Sequence, residues 1–147
     1  MRRALALDRE WPIAIVGVGN LGRALARSEG FRSGHFAVAA LFDVDAALVG
    51  ETVGGCLVRH LDELESVVSA ERVTIGVIAT PAAAAQLVAE RLCEAGVRAL
   101  VNFAPVVLSL PPGVRLRQVD LSAELEMLAF YGSRAPEGEL TRRRGAR

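Results

Sequence analysis

The chain contains no lysine: all 17 of its basic residues are arginine. Without an ε-amine neither a Schiff base nor a lysine general base can form, which removes two routes to covalent and acid–base catalysis. Histidine is nearly as scarce, with only His35 and His60. Cysteine is limited to Cys56 and Cys93, which fit no metal-binding or redox spacing and read as buried thiols. The 17 basic residues are balanced by 17 acidic ones, so there is no global pull towards nucleic acid. No apolar run approaches the roughly 18 residues that span a bilayer, and the start Met1-Arg2-Arg3-Ala4-Leu5 is not organised as a signal peptide. A cytoplasmic protein with no membrane partner and no metal site is the expectation.

What the chain has is apolar mass. At 147 residues and 52% hydrophobic content it is the size of one domain and can bury a sizeable core. Its organising stretch is Ile13-Ala14-Ile15-Val16-Gly17-Val18-Gly19-Asn20-Leu21-Gly22. This is an apolar run feeding a G-x-G-x-x-G turn, followed at once by a helical pattern. In such a turn Gly17 lets the strand bend sharply and Gly19 lets a pyrophosphate approach the backbone. Gly22 lets the helix lie close to the sheet. The amides at the helix start, at its positive dipole end, would face phosphates.

The same glycine spacing also occurs in turns that bind nothing, so the next segment matters more. Residues 36–42 (FAVAALF) form a second apolar run ending in Asp43, about twenty residues past Gly22. An acid there accepts both hydroxyls of an adenosine ribose and repels a 2′-phosphate. Val44 and Asp45 offer no arginine for such a phosphate. The pattern implies dinucleotide binding, NAD(H) ahead of NADP(H).

The rest of the chain alternates strands and helices. The first strand is expected over 13–18, just after Pro12, and a helix over 20–29, stopped by Gly30. A short helical turn over 45–49 and the break at Gly54-Gly55 precede a short strand around Leu57 and Val58. His60 then either lines an adenine pocket or is a loop histidine. A helix over 62–70 and a strand over 73–79 (VTIGVIA) follow. Thr80 suits a helix N-cap and Pro81 the first helical position, with Gly96 closing an alanine-rich helix. A strand over 97–101 ends at Asn102-Phe103, a last strand covers 114–119, and a helix runs from Asp120 to about Tyr131. This order predicts an α/β fold with a doubly wound, mostly parallel sheet. Residues 1–11 read as a linker remnant, 12–131 as the domain, and 132–147 as a disordered basic tail.

Ligands of such sheets bind at the carboxyl ends of the strands, where Gly17–Gly22, Asp43, Thr80 and Asn102–Phe103 all fall. Thr80, Asn102 and Phe103 can hydrogen-bond or stack, yet none is a convincing proton shuttle, so a binding module is favoured over an enzyme and no catalytic residue is assigned. In the last helix, Leu121, Leu125, Leu128 and Ala129 make one core stripe. Met127, Phe130 and Tyr131 extend it further, as simple overhang or as a surface buried against a second subunit.

The blocks GVGNLGRALA, AALFDVD, VTIGVIATPAAAAQLVAERL, GVRALVNFAPVVL and VDLSAELEMLAFY together resemble the C-terminal domain of Rex, a family of bacterial redox-sensing transcriptional repressors. The likeness runs from about Trp11 to Tyr131. It implies a Rossmann-type domain that senses the NADH/NAD⁺ ratio, with NADH releasing the protein from its operator. It also implies a homodimer that exchanges a C-terminal helix. Carried over by motif, Gly17, Val18, Gly19, Asn20, Leu21 and Gly22 would hold the pyrophosphate and Asp43 the adenosine ribose. Thr80, Pro81, Asn102 and Phe103 would lie towards the nicotinamide half. The family's N-terminal winged-helix domain has no counterpart here, so operator DNA is an expected partner only through such a domain. A coenzyme A-binding Rossmann domain of the acyl-CoA synthetase type is the rival, since the alanine-rich helix and VNFAP look somewhat like one. Asp43 speaks against it, because coenzyme A carries a 3′-phosphate. An NAD-binding dehydrogenase fragment comes third.

Overall fold

A computed structural model describes residues 10–29 and 35–120. Residues 1–9 of the expected linker, the helix stop at Gly30, the helix over 121–131 and the tail lie outside the described residues. Seven strands are described: β1 (Trp11–Val16), β2 (Phe36–Asp43), β3 (Thr52–Val53), β4 (Cys56–His60), β5 (Ile75–Ile78), β6 (Ala99–Asn102) and β7 (Arg115–Gln118). The helices are α1 (Asn20–Ala26), α2 (Leu64–Glu71) and α3 (Ala82–Glu94), with a 3-10 turn over Leu61–Glu63 before α2. The sheet order is β3-β4-β2-β1-β5-β6-β7. All pairs are parallel except the β3–β4 hairpin. The strand order reverses between β1 and β5, so the crevice above them is where a doubly wound sheet binds its ligand.

Apolar content on both faces of the central strands explains the layering. Ala14, Val16, Phe42 and Ile78 face α2 and α3, packing with Leu64, Val68, Ala85, Val88, Ala89 and Leu92. Ile13, Ile15, Leu41 and Val77 form a second cluster with Ala26 of α1 and Val53 and Val58 of the hairpin. The buried positions of α3, at 85, 88, 89, 92 and 93, repeat at helical spacing, one stripe on an otherwise exposed helix. Gly76 makes that contact close: a Cβ there would sit 2.8 Å from Leu92 Cδ1. Helix α3 ends as expected around Gly96, whose N–H donates to Cys93 while that of Val97 donates to Leu92, the pair of bonds that seals a helix end.

Strand β2 contains an irregularity that carries functional weight. Ile13 pairs with Val38 but Ala14 pairs with Ala40, leaving Ala39 as an extra residue. Before it, Phe36 and Val38 pack on the α1 side; after it, Leu41 does and Phe42 points to the α2–α3 side. Such a bulge shifts the side-chain alternation by one. Asp43 therefore shares the parity of Leu41 and emerges on the α1 side, beside the glycine-rich turn.

Several boundaries differ from the sequence expectation. β1 begins at Trp11 and ends at Val16, so Trp11 belongs to the sheet rather than the linker and Val18 to the turn. Pro12 lies inside the strand, one residue before pairing with β5 begins at Ile13, where a missing N–H is tolerated. Helix α1 stops at Ala26 with Arg27 as its cap, short of Glu29. Thr80 does not cap α3: Pro81 is the extended N-cap residue, and the Thr80 hydroxyl donates to the Pro81 carbonyl at 3.0 Å. A residue before proline is kept extended, and Pro81 itself takes up the entry to the helix. Cys93 is buried but Cys56 only half so; burial pushes both thiols up, aided at Cys56 by the Glu71 charge.

Two outcomes follow from this packing. Leu92→Ala should destabilise the fold by about 2–5 kcal/mol, measured by urea denaturation, because Leu92 is fully buried against a glycine that cannot fill the gap. Arg91 holds α3 to α2 through paired hydrogen bonds of 2.9 and 2.7 Å to Glu65, and they keep the Glu65 carboxyl below its usual range. The contribution is present above the ordinary carboxylate pKa and is lost as pH falls through the lowered one. Glu65→Gln should flatten the acid limb of the stability curve, modestly, because the pair is solvent-exposed and screened.

Candidate functional site

Strand β1 reaches the crevice and stops at Gly17, whose N–H donates to Phe42 at 2.8 Å. Gly17 has φ +102°, and a Cβ on it would lie 2.6 Å from the Ala79 carbonyl oxygen. Only glycine lets the ends of β1 and β5 approach this closely. At Gly22 an added Cβ would collide with the Gly17 carbonyl oxygen, so the turn and α1 are folded tightly onto each other. Gly19 is the opposite case. A Cβ there would meet no atom within 4 Å, and Gly19 and Asn20 are exposed. The missing side chain at Gly19 leaves open space above the turn rather than relieving a contact. A group brought close to that backbone, such as a pyrophosphate, fits the space.

Asp43 stands across this turn at the end of β2. Its Oδ2 accepts the Val18 N–H at 2.7 Å and its Oδ1 the Asp45 N–H at 2.9 Å. The Val18 amide, expected to face phosphate, is thus spent on the carboxylate. The first-turn amides of α1 at Asn20, Leu21 and Gly22 have no acceptor within the helix. A carboxylate has about four acceptor positions, so two remain for hydroxyl donors.

Gly17, Asp43, Thr80 and Pro81 line one cleft. Val44, Leu61 and Ala84 supply its apolar walls; sequence reasoning missed them as site residues. The signal for Val44 was its place directly after the strand-end acid; Leu61 and Ala84 carry none beyond hydrophobicity. Among the described residues, Asp43 is the only ionisable side chain lining the cleft, and no cation lines it. His60 is not among the described lining residues: it ends β4, in register with Asp43, rather than lying in a loop, and its Nδ1 accepts the Asp62 N–H at 3.0 Å, capping the 3-10 turn.

Asn102 does not face the cleft. It is fully buried, and its amide holds the turn that follows it. Nδ2 donates to Ala104, Val106 and Gln118 Oε1, and Oδ1 accepts the Ala104 N–H at 2.9 Å. Phe103 is half-buried against the α1-side cluster, and its N–H donates to Ile78 at the end of β5. Among the described residues no group of three or more His, Cys, Asp or Glu side chains could hold a metal, and no helix is long and apolar enough to cross a membrane.

Fold and crevice define a Rossmann-type domain with a glycine-rich turn facing a strand-end acid. Residues 8–106 match the family model described as a CoA binding domain. The redox-sensing transcriptional repressor Rex of Streptomyces avermitilis is 55% identical over 132 residues, 90% of this chain and 52% of that protein. Three solved structures of RSP, a Rex-family repressor, are 33% identical and cover 96% of this chain. The one in complex with β-NADH superposes with a TM-score of 0.81 over 67% of its own chain. The one with β-NAD⁺ and operator DNA superposes at 0.79 over 64%. The chain belongs to the CoA-binding domain family, and its matched stretch is the C-terminal domain of the Rex repressors. It spans about half the length of the Streptomyces relative.

The steric role of Gly17 has a direct check. Gly17→Ala forces a positive φ on alanine and a Cβ into the Ala79 carbonyl. A loss of stability on the order of 1–3 kcal/mol is expected, read from thermal unfolding. Gly19→Ala, with open space at its Cβ, should cost far less.

Proposed function

We propose that the chain is the NAD(H)-sensing domain of a Rex-like, redox-responsive transcriptional repressor, and that it binds the dinucleotide without turning it over. The observation that carries this reading is the Asp43 carboxylate, fixed by two amides at the end of β2 and facing the glycine-rich turn. Two free acceptor positions suit the two hydroxyls of an unphosphorylated ribose. The open space above Gly19 and the α1 amides from Asn20 to Gly22 suit the pyrophosphate. Val44 and Leu61 offer an apolar slot for adenine. Thr80 and Pro81 share the cleft with Asp43, so we assign them to the adenosine half, and leave the turn at Phe103 for the nicotinamide half. Asn102 holds that turn and is not assigned a ligand contact.

The name of the matched family raises coenzyme A as a ligand. Its adenosine bears a 3′-phosphate, which a carboxylate repels, and among the described residues no arginine lines the cleft to receive it. The NADH and NAD⁺ complexes of RSP support the dinucleotide. Regulation of transcription would then pass through a DNA-binding domain joined to this one, as the operator complex of RSP suggests. Rex repressors are regulators, and among the described residues nothing ionisable besides Asp43 lines this cleft to move a proton.

Asp43→Ala removes charge-assisted hydrogen bonds worth about 1.5–3 kcal/mol each, so NADH affinity should fall tenfold or more, measured by fluorescence titration. Unchanged affinity would place the ribose elsewhere. Steady NADH oxidation with small carbonyl compounds, lost in the same variant, would make the domain an enzyme instead.

A homodimer held by the segment 121–131 is part of the proposal. Burying Met127, Phe130 and Tyr131 contributes roughly 1.5–3 kcal/mol each before the entropy of association is met. Light scattering should show a dimer for the full chain and for a chain ending at Tyr131, and a monomer or aggregate for one ending at Asp120. A monomeric full chain at micromolar concentration contradicts it.

A further inference from the structure

Asn102 is the one fully buried polar side chain among the described residues. A buried amide is costly unless its groups are paired, and this one is paired entirely with the turn it precedes and with one partner on β7. The Asn102 Nδ2 hydrogens are shared among the carbonyl oxygens of Ala104 (3.2 Å) and Val106 (3.1 Å) and Oε1 of Gln118 (2.9 Å). Gln118 also donates from Nε2 to the Ala104 carbonyl at 3.0 Å. The turn over 103–106 is therefore gripped twice, by Asn102 from below and by Gln118 from the side. Gln118 also fixes how Asn102 is turned, because it supplies the shortest of that amide's three acceptors.

We propose that Gln118 is a positioning residue for the nicotinamide half of the site, acting through Asn102 on the turn at Phe103, Ala104 and Pro105. The inference rests on the dinucleotide reading above. A doubly wound sheet binds a dinucleotide across two halves. The adenosine half falls to β1, α1 and β2, where Gly17, Gly19 and Asp43 lie. The second half falls to the end of β6, where Phe103 donates its N–H to Ile78 at 2.9 Å. The Asn102–Gln118 pair touches only this second half. The far end of the same loop is held independently: Gln86 and Ser109 exchange two hydrogen bonds of 2.9 Å. Removing the Gln118 amide thus loosens the turn next to the ligand and leaves the rest of the loop on α3.

The test compares NADH with ADP-ribose, which has the adenosine and pyrophosphate but no nicotinamide, by calorimetry on the full chain. Gln118→Leu keeps the bulk and removes both hydrogen bonds. NADH affinity should fall about tenfold, as expected for a loosened, half-buried hydrogen-bond network, while ADP-ribose affinity changes by less than about twofold. Equal losses for both ligands, or no loss for either, overturn the proposal. Gln118→Glu keeps an acceptor for Asn102 and loses only the donor to Ala104. It carries the same test if the leucine variant does not fold, with an NADH-specific loss of about threefold expected. A parent chain that binds neither ligand refutes the dinucleotide reading itself and this proposal with it. A parent that binds both, with variants that weaken both alike, refutes the positioning role alone.

Discussion

The hydrogen bond from the Val18 amide to Asp43, 2.7 Å long, ties the first turn of the chain to the end of its second strand. Much of the crevice depends on it. It requires β1 to stop at Gly17, which only a residue without a Cβ can do beside the Ala79 carbonyl. It also requires β2 to deliver its last side chain on the α1 side, which the extra residue Ala39 secures. A strand without that bulge would turn Asp43 towards the other face, away from the glycines. With the bond formed, the carboxylate is oriented before any ligand arrives, and the ordering cost falls on folding rather than on binding.

The scaffold beneath is held by apolar contact more than by charge. β1 and β5, the strands at the reversal of order, are buried from Ile13 to Val16 and from Gly76 to Ile78. Helix α3 comes close to the sheet over Gly76, placing its N-terminal end, and with it Thr80 and Pro81, against the crevice. The ion pairs are peripheral. Arg23 with Glu51 and Arg59 with Glu63 are substantially exposed, and exposed pairs contribute little. Polar bonding matters where the chain leaves regular structure: at Asp43, at Asn102 with Gln118, and at Gln86 with Ser109. Each of these fixes a loop at the carboxyl edge.

The fold class was legible because β1, β2 and β5 are apolar on both faces, as parallel strands must be, and because glycines and prolines punctuate the chain at the right places. The glycine-rich turn and the acid facing it were legible for a local reason: the glycine spacing and the acid at the end of a strand are both contiguous patterns. What escaped depends on register or on contacts distant in sequence. The bulge at Ala39 lies within a uniformly small, apolar run, and nothing in FAVAALF marks it. The β3–β4 hairpin did leave a signal. Gly54 and Gly55 both take positive φ, 60° and 85°, and two glycines between strand formers are the mark of a tight two-residue hairpin turn. Asn102 was read as a ligand contact because it ends a strand at the right edge. Its true partners, Ala104, Val106 and Gln118, become visible only when β6 and β7 are paired. Thr80 suits an N-cap by residue type, but the proline after it takes that position.

The ligand class is the point on which the fold, the crevice and the family name meet, and one competition settles it. The full chain, loaded with NADH and followed by nicotinamide fluorescence, is titrated with coenzyme A and, separately, with NAD⁺. NAD⁺ is expected to displace NADH in a saturable manner, and coenzyme A to leave the signal unchanged at concentrations well above those of NADH. Displacement by coenzyme A at lower concentration than NAD⁺ would show that Asp43 does not exclude a ribose phosphate, and would contradict the dinucleotide assignment.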